Sequence, residues 1–213
     1  MKDLRELNLQ LTKQSLKENI SRDILIIQSI HTIDELIKII NKLVASIKER
    51  YGYYAPRIAR SEDTEFLLKN IFSKTREDMS IDLSNEDLDS IIELGKEIER
   101  LNILKESQEK YLEGLMSKIC PNLLKDAGSL IGARLIDRAG SLKHLAELPS
   151  STIQVLGAEK ALFRHLKTGA KAPKFGVIFA HQDISKEQNK GKAARHLASK
   201  ISKAVKIDYF REK

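Results

Sequence analysis

Ile26, Ile30, Ile33, Ile37, Ile40, Val44, Ile47 and Tyr51 follow one another in alternating steps of four and three. An α-helix turns once every 3.6 residues, so these steps hold all eight side chains in one apolar stripe. A strand would scatter them over both faces. The stripe predicts one long helix that stops at Gly52 and Pro56. A second line with the same steps runs through Ile91, Leu94, Ile98, Leu101, Lys105, Gln108, Leu112, Leu115 and Ile119. Ser84-Asn-Glu-Asp87 ahead of it resembles a capping box, which opens a helix. Two such helices joined by a connection outside the heptad pattern predict an antiparallel coiled-coil hairpin, with arms of roughly 40 Å at about 1.5 Å per residue. Ile30, Ile33, Ile37, Ile40, Ile98 and Leu101 are its expected self-association seam, and pairing within one chain or between two both fit the pattern. Lys105 and Gln108 break the second line, either as register-setting polar residues or as the point where the hairpin splays for a partner. In the connection, Phe66, Leu67, Ile71 and Phe72 mark the apolar side of a short helix. Residues 1–22 are polar and expected helical, with Leu4, Leu7, Leu9 and Leu11 too irregular to define a face.

Pro121 divides the chain, because the residue before a proline disfavours helix. Residues 1–120 are expected as a coiled-coil domain with a connecting helix, and 121–213 as a small, nearly all-helical domain. The charge divides at the same place. Residues 1–120 hold 19 Lys and Arg against 22 Asp and Glu, and 121–213 hold the remaining 18 against 8. A basic excess confined to one half points to an anionic partner for that half, most commonly nucleic acid.

Within the basic half, Gly140 is expected to close one helix and Ser150 or Ser151 to cap another. The stretch from Gly157 to Gly176 concentrates the signal. A helix from about Ala158 to Lys167 places Lys160, Arg164 and Lys167 on one face and Leu162 and Leu166 on another. Small residues at its start leave backbone N–H groups open to an anion. Gly176-Val-Ile-Phe179 is short and β-favouring, the one place where extended backbone is expected. The last helix, Gly191 to Phe210, turns Ala194, Leu197, Ala198, Ile201 and Val205 inward. It turns Lys192, Arg195, Ser199, Lys203 and Lys206 outward as a second basic face.

Catalytic chemistry has no foothold in the sequence. His31, His144, His165, His181 and His196 form no short ligand pair, and Cys120 is the only cysteine. No glycine pattern matches a nucleotide-binding loop. Neither a metal nor a cofactor is expected. No apolar run reaches the roughly 18 residues of a membrane span, and no signal peptide opens the chain. The expectation is a soluble, non-enzymatic, all-α protein.

Several segments together resemble the Nop-domain family. They are Gly128-Ser-Leu-Ile-Gly-Ala-Arg-Leu-Ile136, Leu148-Pro-Ser-Ser-Thr-Ile-Gln154 and Leu156-Gly-Ala-Glu-Lys-Ala-Leu-Phe-Arg164, with Gly169-Ala-Lys-Ala-Pro-Lys-Phe-Gly-Val-Ile-Phe179 and Gly191-Lys-Ala-Ala-Arg195. Leu25-Ile-Ile-Gln28 and Ile47 to Pro56 resemble the family's coiled-coil entry. The match is closest to archaeal box C/D ribonucleoprotein scaffolds, which have nucleolar relatives in eukaryotes and a more divergent spliceosomal one. The resemblance implies a scaffold for guide-RNA-directed 2′-O-methylation of RNA. In it the coiled coil self-associates, and the basic domain binds kink-turn box C/D guide RNA together with the kink-turn-binding protein. It implies a cytoplasmic location in an archaeon and a nucleolar one in a eukaryote. Fibrillarin is expected as a partner only through an N-terminal domain, which this sequence is expected to lack.

Carried onto this chain, the resemblance brings Gly157, Ala158, Glu159 and Lys160 to an RNA–protein junction, and Arg164 and Lys167 to phosphate. Lys171 and Lys174 add cations, Phe175 packs on a base, and Gln154 reaches a base edge or sugar. Lys192 and Arg195 complete the expected RNA-binding set. Glu159 and His165 are the expected protein-partner contacts, with Glu159 pairing with a cation or capping a backbone N–H rather than touching phosphate. Phe163 and Phe179 are expected in the core. A spliceosomal-type assembly factor, and a dimerisation protein without specific RNA binding, are the competing readings.

Overall fold

The computed structural model describes residues 2–19, 22–78 and 80–211. Helices account for most of them, and no strand occurs among the described residues. α1 (Lys2–Asn19) precedes the long α2 (Asp23–Tyr51). Two short helices, α3 (Pro56–Ala59) and α4 (Thr64–Phe72), lead to the long α5 (Asn85–Ile119). The basic half folds as α6 (Pro121–Ala127), α7 (Ser129–Ala139), α8 (Leu142–Glu147), α9 (Ser150–Val155) and α10 (Glu159–Thr168). A 3-10 turn over Val177–Ala180 follows, then α11 (Gln182–Lys186) and α12 (Lys190–Arg211). The chain forms two compact units, one of residues 32–108 and one of 1–31 with 109–213. The long helices α2 and α5 contribute a segment to each.

The unit of residues 32–108 is built on the predicted stripes. Ile40, Val44, Ile47 and Tyr51 of α2 share one apolar cluster with Leu67, Leu68 and Ile71 of α4 and Leu88, Ile91 and Ile98 of α5. Phe66, assigned to the apolar side of α4 from its spacing, is exposed, and Leu68 takes that place. The helix starts are satisfied as their sequences imply. Asp63 accepts from the N–H groups of Glu65 and Phe66 at 2.9 and 3.2 Å. Ser84 and Asp87 exchange side-chain-to-backbone bonds at 3.2 and 3.1 Å, a closed capping box. Glu77, 20 residues downstream of Arg57, caps α3 by accepting from Arg57 and Ile58 at 3.1 and 3.0 Å. Tyr51 is fully buried beside Tyr54, and its hydroxyl donates to the carbonyls of Asn70 and Thr75. That bond ties the end of α2 to the connection.

Of the predicted self-association seam, Ile30, Ile33, Ile40 and Ile98 are buried within the single chain, and Ile37 and Leu101 are half-buried. Pairing within one chain, one of the two arrangements the spacing allows, accounts for the burial of these side chains. The apolar stripe is spent inside the protomer, because two helices of one chain meet at high effective concentration while a second chain must be recruited. A cleft of about 910 Å³ opens where Lys105 interrupts the second line, lined by Ile37, Ile40, Leu68, Phe72, Ile103 and Lys105 among others.

In the second unit α12 is the hub. Its inward face, Ala194, Leu197, Ala198, Ile201 and Val205, is buried as predicted, and α6, α8 and α9 pack on it. Asp208 of α12 is only 1% exposed and receives three bonds from the start of α6. They come from the backbone N–H groups of Asn122 and Leu123 at 3.1 and 2.8 Å and from the Asn122 amide at 2.7 Å. A carboxylate at a helix start fills donors that have no partner within the helix and meets the positive end of its dipole. Asp23 serves α8 in the same way, accepting from Leu142 N at 2.6 Å. Gly140 closes α7 in the left-handed region at φ 84°, as predicted.

Two local expectations give way to backbone geometry. Gly176–Phe179 is not extended. Gly176 and Val177 donate to the carbonyls of Gln154 and Leu156 at 2.9 and 2.8 Å, and the chain then coils back as Phe179 N bonds Gly176 O at 3.1 Å. Docking onto the end of α9 overrides the β preference of Val-Ile-Phe. Neither Ser150 nor Ser151 caps α9. Pro149 occupies the cap position without a side-chain bond, and Ser150 is the first helical residue.

Candidate nucleic-acid interface

Two glycines set the frame of the site. A Cβ on Gly176 would lie 2.0 Å from the Leu156 carbonyl oxygen, and a Cβ on Gly157 would lie 2.5 Å from Val177 Cγ2. Gly157 also holds φ 90°, a conformation that glycine adopts without steric cost. The chain entering α10 and the chain leaving its loop therefore cross at backbone contact. This crossing fixes both ends of the stretch 157–176.

α10 begins at Glu159, with Ala158 at the cap position and no side-chain cap. Glu159 Oε1 accepts from Gly157 N at 2.6 Å, and Ala158 N donates to Val155 O at 2.9 Å. The expected backbone capping by Glu159 is thus present. The N–H groups of Gly157 and Ala158 are therefore both engaged within the chain. Lys160, Arg164 and Lys167 project as one exposed cationic row. The other side of α10 is unlike a core helix. Phe163 is 63% exposed and Leu166 is 70% exposed, and no residue of α10 is buried. The placing of Phe163 in the core is therefore corrected, and so is that of Phe179, which is also exposed. Spacing alone does not tell an inward apolar stripe from one left for a partner.

The loop after α10 is held from several directions. Gly169 ends the helix at φ 68°, with its N–H on His165 O at 2.9 Å. The His165 ring Nδ1 bonds the carbonyl of Ala170. His165, expected as a partner contact, therefore also fastens this loop. Gln154 Nε2 donates to Lys174 O at 2.6 Å, so its amide holds the loop from within the protein. Lys171 and Lys174 are exposed, and Phe175 stacks on Phe179 at 4.5 Å between centroids and 10° between planes.

The loop meets the start of α12. A Cβ on Gly191 would lie 3.9 Å from Lys174 Cδ, and Lys190 Nζ sits 5.4 Å from the Phe179 ring centroid. Asn189 caps α12 by accepting from Lys192 N at 3.2 Å. Lys192 and Arg195 are exposed on its first turns. The fold thereby joins Lys174 and Phe175 to the second basic face, which lies more than a dozen residues away in sequence. Lys190, Gln188 and Asn189 were missed from sequence. The Asn-Lys-Gly run reads as an ordinary helix cap, and only the return of the loop brings it beside Phe175. Among the described residues no group of three or more His, Cys, Asp and Glu could hold a metal ion. No described helix is long and apolar enough to cross a membrane.

Comparison with known proteins places this arrangement among relatives. The family described as "snoRNA binding domain, fibrillarin" (Nop) matches residues 37–213. Nucleolar protein 56 of Homo sapiens is 37% identical over 94% of this chain and 40% of its own length. An uncharacterised NOP5 family protein of Methanocaldococcus jannaschii is 37% identical over 94% of this chain and 56% of its own length. A chain in the crystal structure of a fibrillarin/Nop5p complex superimposes with a TM-score of 0.58 and 27% identity, covering all of this chain and 71% of that one. The present chain thus spans about two fifths of nucleolar protein 56 and somewhat over half of the archaeal relative.

Proposed function

The chain belongs to the Nop family of snoRNA-binding domains, and from that premise we propose that it is a non-catalytic RNA-binding scaffold of a box C/D ribonucleoprotein that guides RNA 2′-O-methylation. The observation that carries this reading is the clamped stretch 157–176. Its crossing glycines, Gln154 and His165 present Lys160, Arg164, Lys167, Lys171 and Lys174 from a preorganised loop and helix. With Lys192 and Arg195 these form a surface suited to a phosphate backbone. The exposed Phe163 and Leu166 on α10 suit a protein partner, as a composite surface of kink-turn RNA and its binding protein requires.

Likeness to a chain solved in a complex with fibrillarin supports a place in an assembly that also holds fibrillarin. Names of the relatives support a nucleolar location in a eukaryote, and an archaeal chain would act in the cytoplasm. Self-association falls to the exposed Ile39, Ile103 and Leu104 of the unit formed by residues 32–108, since the heptad stripe is already filled. The test is a gel-shift titration on box C/D kink-turn RNA with and without the kink-turn-binding protein. Weak binding to bare RNA and much tighter, salt-sensitive binding to the complex is the expected result. Equal affinity for unrelated duplex RNA, with or without that protein, would overturn the reading.

A further inference from the structure

We propose that Arg57, Arg60 and Arg76, in the unit of residues 32–108, form a second phosphate site that holds the RNA backbone through guanidinium forks. The proposal rests on the RNA-binding reading above and adds a contact outside the half of the chain that the charge division marked as basic. The three side chains surround a hollow of about 500 Å³, lined besides by Pro56, Glu77 and Asp78. Residues 32–108 carry 12 Lys and Arg against 16 Asp and Glu, so three arginines at one hollow are not a sample of a basic surface. Like charges gathered in an otherwise acidic unit repel one another unless an anion joins them.

The backbone holds this hollow in shape. α3 is a single turn that opens on Pro56, whose fixed φ suits a first helical position. Ile58 and Ala59 are buried and Arg60 closes the turn in helical conformation, so Arg57 and Arg60, three apart, share its exposed side. The chain returns to this turn through Glu77, whose two carboxylate oxygens accept from Arg57 N and Ile58 N at 3.1 and 3.0 Å. On either side of Glu77 the segment is tied to the end of α2. The Tyr51 hydroxyl donates to Thr75 O at 2.7 Å, and Ile81 N donates to Tyr53 O at 2.9 Å. Arg76 is thereby brought beside the other two arginines. Its Nε donates to Ser80 Oγ at 2.8 Å and its Nη1 meets Asp82 Oδ1 at 2.6 Å, which orients the guanidinium and leaves its other donors for a ligand. Among the described residues neither the Arg57 nor the Arg60 side chain has a hydrogen-bond or ion-pair partner. Of the two carboxylates at the hollow, Glu77 is engaged by the start of α3, and the exposed Asp78 is the one that opposes an anion. A guanidinium presents parallel N–H pairs that match two oxygens of one phosphate. Pro56 is the only apolar residue of the lining, so the hollow can grip a phosphate but not the side chains that flank a phosphorylated residue in a peptide. That favours RNA.

The test uses the full chain, box C/D guide RNA and the kink-turn-binding protein, with affinity measured from about 50 to 200 mM salt. Arg57→Gln with Arg60→Gln, at two exposed positions, should melt like the wild type. It should flatten the slope of log affinity against log salt by roughly 1.4 to 1.8, as two lost phosphate contacts imply. Over that range of salt the variant should then lose about 7- to 12-fold less affinity than the wild type. Arg57→Lys with Arg60→Lys keeps both charges and removes the forks, so it should keep the slope and still bind more weakly. Asp78→Asn should tighten binding, by up to about 5-fold. Wild-type affinity and slope in the Gln pair, with binding lost in Lys160→Glu, Arg164→Glu, would overturn the site and leave the RNA reading standing. A Lys pair indistinguishable from the wild type would overturn it too, since a diffuse positive field needs no fork. A phosphoserine peptide that binds the wild type, fails on the Gln pair and displaces no RNA would overturn the RNA assignment in favour of a phosphorylated protein. Failure of the wild type to bind the guide RNA at all would overturn both readings.

Discussion

Gln154 and Lys174 are 20 residues apart and joined by one short bond, the Gln154 amide donating to the Lys174 carbonyl at 2.6 Å. The residue expected to touch RNA directly also holds the loop that carries three of the expected contacts, Lys171, Lys174 and Phe175. Gln154→Leu should therefore weaken RNA binding through the loop as well as at Gln154 itself. Loss of a hydrogen bond of this kind costs about 1 kcal/mol, or a several-fold change in affinity. The measurement is a binding isotherm beside a thermal melt. An unchanged affinity would mean that the loop holds its shape without this bond.

The crossing of Leu156 and Gly176 predicts a contrast among glycines. Gly176→Ala puts a methyl carbon 2.0 Å from a carbonyl oxygen that cannot move aside without breaking the Val177–Leu156 bond. It should destabilise the unit by roughly 2 kcal/mol or more. Gly169→Ala meets open space and bears only its positive φ, a cost of about 1 kcal/mol. Denaturant unfolding of the two variants side by side gives the comparison.

Lys160→Glu with Arg164→Glu should leave the fold intact, since both side chains are exposed, and should sharply reduce RNA affinity. If each neutralises one phosphate, the slope of log affinity against log salt should flatten by roughly 1.4 to 1.8. Wild-type affinity in this variant would favour a protein-interaction role for the basic half.

Asp208 tests the core of the second unit. Asp208→Ala strands the backbone donors of Asn122 and Leu123 in a buried place. A loss of about 3 kcal/mol is expected, seen as a lower melting temperature. Asp208→Asn retains one acceptor and should lose less.

Tyr51 gives the unit of residues 32–108 an alkaline limit. Burial, reinforced by the neighbouring Tyr54 and Glu77, pushes its hydroxyl from 10.0 up to about 12. Below pH 10 Tyr51 is neutral in both folded and unfolded chains, and its contribution is present in full. Between pH 10 and 12 the unfolded chain releases the proton and the folded chain keeps it, so stability falls as pH rises. Ultraviolet titration should show one tyrosine ionising late, and Tyr51→Phe should abolish that step and flatten the alkaline loss.

Much of this structure was written in local patterns. The four-three spacing of Ile26 to Tyr51 specifies a helix whatever surrounds it, because only 3.6-residue periodicity aligns those side chains. The Ser84–Asp87 box, the stop at Pro121 and the αL close at Gly140 depend on neighbours a few residues away, and each appears where the sequence put it. The charge division likewise marked the basic half, and the Gly157–Gly176 stretch was visible within it by the cationic face of its helix. Tertiary structure decided the rest, since it turns on which distant backbone arrives at a given place. Val-Ile-Phe became a 3-10 turn because it docks on Gln154 and Leu156. Phe163 and Leu166 stayed outside because no element of the described chain covers that side of α10. Ile30 to Ile98 were absorbed into the protomer because the chain itself supplies their cover. Gln188, Asn189 and Lys190 became neighbours of Phe175 only when the loop returned to α12. Periodicity states which side of a helix is apolar, and only the packed chain states what meets it.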